Sequence, residues 1–107
     1  MSTITLNSMT CVKLQDSISE DEIVVHLAGA KVLGPIGVHK GKTVSLGGLT
    51  RTFTGSINVQ LFEIDSNSAP DDLGTEIVRA SEAGSGDQNL KFDKANKAFY
   101  TLNYRVA

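Results

Sequence analysis

Apolar and polar side chains alternate along much of this 107-residue chain, and a repeat of two is the period of a β-strand with one buried face, not of a helix. In Ile57-Asn58-Val59-Gln60-Leu61 each apolar residue is separated from the next by an amide, and Tyr100, Leu102, Tyr104 and Val106 repeat the pattern near the end. Ile4 and Leu6 begin a first strand, Ile23, Val25 and Leu27 mark a second, and Val44 and Leu46 a short third. The Ile57 to Leu61 run is then the fourth. Ile77 to Ala80 and Gln88 to Phe92 add two more, separated by the glycine-bearing connection Glu82 to Asp87. No amphipathic helix of useful length, internal repeat or linker interrupts the pattern. The expectation is an all-β, antiparallel β-sandwich of seven to eight strands, with residues 1–107 as one domain. Such a fold gathers its loops at two ends, where distant stretches of sequence can build one site.

Composition removes several function classes. With 40% hydrophobic and 21% charged residues, a formal charge of -2 and no dense basic run, the chain lacks the footprint of a nucleic-acid binder. Lys91, Lys94 and Lys97, interrupted by Asp93, read as a solvated hairpin face. Cys11 is the only cysteine, so no intramolecular disulfide can form and the compartment stays open. Met1 to Leu14 shows no signal-peptide pattern, and the apolar window Ile23 to Val38 is too short and too broken for a transmembrane helix. A soluble protein is expected.

Two connections are much richer in carboxylates than the others. One is Gln15-Asp16-Ser17-Ile18-Ser19-Glu20-Asp21-Glu22, ahead of the second strand. The other runs from Glu63 through Asp65, Asp71 and Asp72 to Leu73-Gly74, where the fourth strand ends in a cluster of negative charge. Acidic clusters are usually solvated surface. Oxygen-rich groups gathered at strand ends are also what a hard cation such as calcium requires.

The arrangement resembles a C2 domain, the β-sandwich module of many calcium-responsive proteins. Asp16 falls where that family carries an Asp in its first loop, and Asp21 is the best match to the Asp just before the next strand. Glu63 and Asp65 take the places of the Asp-x-Asp pair in the third loop, Asp71 that of the Asp that follows, and Leu73-Gly74 the exit. Glu63 is longer than the usual Asp, and Glu22-Ile23 replaces the usual Pro-Tyr pair. The resemblance implies a C2-like sandwich that binds Ca2+ through Asp16, Asp21, Glu63, Asp65 and Asp71, without catalysis.

Calcium takes about six to eight oxygens, more than one loop readily supplies, so both loops would contribute, with backbone carbonyls and water completing the set. Without the ion the carboxylates repel and loosen the loops. The implied partners are an anionic membrane surface, a protein or a glycan, engaged in a calcium-dependent way. Ile18 and Ala69-Pro70 at the loop tips, with no Trp, Phe or Arg, imply weak membrane insertion. An EF-hand-like reading uses Asp65, Asn67, Asp71 and Glu76, but Pro70 stands where that loop needs a flexible glycine.

Catalysis finds little support. His26 lies in an alternating strand, His39 in a glycine-rich stretch, and neither stands beside a nucleophile in sequence. Cys11, His26 and His39 follow no zinc-ligand spacing, and Cys11 reads as a small core residue. Gly47-Gly48 and Gly84-Ser85-Gly86 read as turns between strands, not as phosphate loops. The alternative to a cation module is a structural or assembly subunit whose acidic loops bind no metal. Phe62 and Ile64 bear on it: they lie opposite Val59 and Leu61, making the fourth strand apolar on both faces near its end, as a partner or homo-oligomer surface, a strand crossing the sandwich centre, or one covered by the loop after Leu33 would equally be.

Overall fold

The computed structural model describes residues 1–13, 20–64, 69–93 and 98–107. Eight strands form in chain order: β1 (Ser2–Lys13), β2 (Glu20–Leu27), β3 (Ala30–His39), β4 (Thr43–Phe53), β5 (Ser56–Glu63), β6 (Asp71–Arg79), β7 (Gln88–Phe92) and β8 (Phe99–Val106). They make two antiparallel four-stranded sheets, ordered β4-β1-β8-β7 and β3-β2-β5-β6. A single 3-10 turn, Ala80–Glu82, is the only helical element among the described residues. The expected antiparallel sandwich is therefore present.

Alternation explains the core. Ile57, Val59 and Leu61 of β5 are buried, as are Tyr100, Leu102, Tyr104 and Val106 of β8, and Cys11 is fully buried. These inward sets from the two sheets form one continuous apolar layer with Ile4, Leu6, Ile23 and Val25.

Two features of the strand pattern differ from expectation. β3 lies outside the expected set, because Gly34 and Pro35 interrupt its alternation. It sits at the edge of its sheet, where a residue without an N–H is tolerated. At Gly34 (φ +104°) an added Cβ would collide with the Ile23 carbonyl oxygen and lie 3.0 Å from Val24 Cα, so the absence of a side chain lets β3 lie close to β2. Gly47 and Gly48 are not a turn between strands. They lie inside β4, both with positive φ, where the register against β1 shifts between the Leu6↔Leu49 and Ser8↔Ser45 pairs.

The two ends of the sandwich differ in chemistry. At one end lie the last residues of β1, β3, β5 and β7 and the first of β2, β4, β6 and β8. There the Gly41 amide donates to the Cys11 carbonyl at 2.7 Å and the Cys11 amide to the Lys42 carbonyl at 3.0 Å. At the other end Ala107 and Thr3 exchange two backbone bonds of 2.9 Å, and the Ala80 amide donates to the Gly55 carbonyl at 2.8 Å. The strand termini that flank both acidic connections belong to the first end.

Candidate cation site

Pairing register brings three of the five expected ligands to one inward face. Glu63, the last residue of β5, sits directly opposite Asp71, the first residue of β6. On its other side Glu63 pairs with Ile23 of β2. Paired residues share a face and residues two apart share a face, so Asp21 joins Glu63 and Asp71. Cβ atoms of directly opposed residues stand roughly 4.5–5.5 Å apart, and like charges in that position are unfavourable. Asp21 is fully buried, Glu63 is 3% exposed, and Asp71 is half-buried at the margin. Acidic side chains are thus gathered largely away from water, where a charge is costly unless offset.

Asp21 is held from the opposite sheet. The Tyr100 hydroxyl of β8 donates to its Oδ2 at 2.5 Å, in a bond that spans both the interior of the sandwich and 79 residues of chain. Tyr100 is itself fully buried, and burial first, then the bond to Asp21, pushes its hydroxyl well above the usual tyrosine range. Cys11, the register partner of Tyr100 on β1, has its thiol pushed up chiefly by burial. The sequence places Tyr100 and Cys11 in the core but not beside an acidic residue. The signal available is Tyr100 at an inward position near a strand start, since a buried phenol needs a partner for its O–H.

The remaining expected ligands, Asp16 and Asp65, lie outside the described residues, as do Asn67 of the EF-hand-like alternative, Ile18 at the loop tip, and Lys94 and Lys97. Among the described residues no group of three or more His, Cys, Asp or Glu side chains is arranged to hold a metal ion. Asp21, Glu63 and Asp71 share a face without forming a coordination sphere by themselves. Their donor chemistry suits a hard cation, which still requires further oxygens. Asp72 points away from this face, and its Oδ1 accepts the Gly74 amide at 2.8 Å, closing a local turn at the start of β6. Glu76 lies farther along β6, opposite Val59.

Of the two histidines, His39 pairs with Glu20 of β2, the residue before Asp21. His26 sits on the outer face of β2 with its ring 4.8 Å from that of Phe62, and His39 is the exposed last residue of β3.

No protein-family model matches the sequence, and no curated protein matches it. The structure does find a similar fold. It superposes on the first-named (A) C2 domain of a plant Extended Synaptotagmin 1 with a TM-score of 0.51, covering 98% of this chain and 90% of that one at 6% identity. The fold is that of a C2 domain. A human GIVD cytosolic phospholipase A2, in complex with methyl gamma-linolenyl fluorophosphonate inhibitor and terbium chloride, gives a TM-score of 0.48 at 12% identity. That match covers 98% of this chain but only 17% of the phospholipase. Within this C2-like sandwich, the acidic inward face lies where β2 and β6 begin and β5 ends. No helix among the described residues is long and apolar enough to cross a membrane.

Proposed function

We propose that this C2-like domain is a calcium-binding, non-catalytic module that engages its partner in a calcium-dependent way, with residues 1–107 acting as one unit. The observation that carries this is the register that sets Glu63 against Asp71 and places Asp21 on the same inward face, so that three strands turn carboxylates toward one end of the sandwich. Glu63 and Asp71 would hold the ion most directly. Asp21 would contribute from behind, and Asp16 and Asp65 would complete the donor set from the two acidic connections. Bound Ca2+ would supply the positive charge that the opposed carboxylates call for, and in doing so would stabilise the fold by linkage. The resemblance to C2 domains supports an anionic membrane surface as one calcium-dependent partner, with a protein or a glycan as the others.

Isothermal titration with calcium, paired with melting curves in calcium, magnesium and chelator, tests the ion. Calcium should raise the melting temperature, magnesium should do so less because it demands a stricter octahedron, and Asp16→Ala or Asp65→Ala should weaken binding. No titration heat together with superimposed melting curves would sink the proposal. For the partner, co-sedimentation with phosphatidylserine vesicles should depend on calcium; pelleting that is absent at every calcium concentration removes the lipid.

A structural role without metal is the second reading, and the bond from Tyr100 to Asp21 favours it, because that bond gives a buried carboxylate a purely architectural task. Light scattering separates the two readings: an oligomer of unchanged size in calcium and chelator, with no calcium binding, assigns the chain to assembly.

A further inference from the structure

The strand ends that turn carboxylates inward carry a different surface outward. Val24 of β2 pairs with Phe62 of β5, which pairs in turn with Asp72 of β6, and this row faces away from the core. One row nearer the acidic end, the Glu22 carbonyl accepts the Ile64 amide at 2.8 Å. Val24, His26, Phe62, Ile64 and Pro70 line a groove of about 210 Å³. Val24, 3% exposed, forms its floor, and the His26 and Phe62 rings pack against each other along it.

Size and charge narrow what such a groove accepts. Pockets for drug-sized molecules begin at roughly 300 Å³, so this volume suits a single apolar side chain better than a free ligand. Its rim is polarised. Exposed Glu22 and exposed Asp72 stand toward the acidic end, and exposed Lys31 pairs with His26 at the other. Two carboxylates beside the opening repel an anionic lipid surface and attract a cationic residue next to the inserted side chain.

We propose that this groove docks a short segment of a partner protein, in which an apolar side chain enters between Phe62 and Ile64 and an adjoining lysine or arginine meets Glu22 and Asp72. The groove lies on the opposite face of the strands from the carboxylates of the proposed cation site. Docking therefore stands whether or not an ion binds there, and it is tested in chelator.

The probe is the peptide acetyl-Gly-Phe-Lys-Lys-Gly-amide, titrated into isotopically labelled protein and followed by amide chemical shifts. Two control peptides replace its Phe with Ser or both Lys with Glu. The expected result is shifts confined to Val24, His26, Phe62, Ile64 and their neighbours, with both controls weaker by about tenfold or more. Phe62→Ser should abolish the response. Should that variant not fold, Glu22→Lys at an exposed position should reverse the preference between the lysine and glutamate peptides. Shifts elsewhere on the molecule, equal response to all three peptides, or an unchanged preference in Glu22→Lys would overturn the proposal. So would pelleting with phosphatidylserine vesicles in chelator that Phe62→Ser removes, which assigns the groove to a membrane. A dimer that dissociates on Ile64→Ser assigns it to a second copy, and overturns the proposal likewise.

Discussion

The C-terminal strand makes the same chemical pair twice, once toward each end of the sandwich, and the two pairs differ in what surrounds them. Tyr100 donates to Asp21, and four residues later Tyr104 donates to Glu82. Both tyrosines are buried, and burial before any other cause raises both hydroxyls above the usual tyrosine range. Glu82 is local and accounted for. Its Oε2 accepts the Arg79 amide at 2.8 Å, three residues away, and so caps the 3-10 turn that leads from β6 toward β7. Asp21 is fully buried, its tyrosine comes from the other sheet, and it shares its face with Glu63 and Asp71. A lone carboxylate bonded to a phenol and a backbone amide is structural chemistry. Three acidic side chains from three strands turned to one face are an arrangement Glu82 lacks, and that gathering motivates the cation proposal.

The largest expected effect separates the two pairs by stability. Asp21→Ala leaves the Tyr100 hydroxyl buried without its acceptor and should cost about 3 kcal/mol, whereas Glu82→Ala, at a half-exposed turn, should cost about 1 kcal/mol. Urea denaturation in chelator measures both. Equal costs would erase the distinction between the two ends.

Next comes the ion. Calcium at about one hundred times its dissociation constant should add about 2.7 kcal/mol to the wild-type protein. Glu63→Gln and Asp71→Asn should remove that increment, while Glu82→Gln should leave it intact. Loss of the increment in Glu82→Gln would place the ion at the wrong end.

Alkaline pH loads both tyrosines, and substitution of Tyr104 isolates the structural end. Because the folded Tyr104 hydroxyl keeps its proton at a pH where the unfolded chain has lost it, its contribution is complete below about pH 10 and falls above that by about 1.4 kcal/mol per pH unit. Tyr104→Phe should flatten the decline by one such slope. Denaturation curves from neutral to strongly alkaline pH test it, and an unchanged slope would show that Tyr104 titrates alike in both states.

The smallest effect belongs to Asp72. Asp72→Asn keeps an oxygen for the Gly74 amide and should change stability by less than about 0.5 kcal/mol, with calcium binding unaltered because this side chain faces outward. A large loss of calcium affinity would mean that Asp72, not Asp71, faces the ion.

Much of the architecture is legible in the alternation. The inward sets of β5 and β8 can be written down residue by residue, because a period of two with one face in water leaves no second assignment. β3 is hidden because Gly34 and Pro35 break its pattern, and an edge strand tolerates such a break. Gly47 and Gly48 pass for a turn because positive φ at glycine serves a bulge within a strand as well as a turn between strands. Of the acidic candidates, Glu63 and Asp71 can be paired once a hairpin between β5 and β6 is assumed. Their alignment with Asp21 depends on β2 lying beside β5, and nothing local specifies that neighbour.

What the sequence by itself determined is which residues of the alternating strands face inward, and that two connections are rich in carboxylates. Alternation is a property of each strand alone. Only the tertiary structure decided which strands adjoin, that Tyr100 reaches Asp21 from the other sheet, and that Val24, Phe62 and Ile64 form a groove on the outer side of the acidic strands. Those relations join residues far apart in the chain, so the physical cause lies in the packing of two sheets against each other and not in the local preference of any segment.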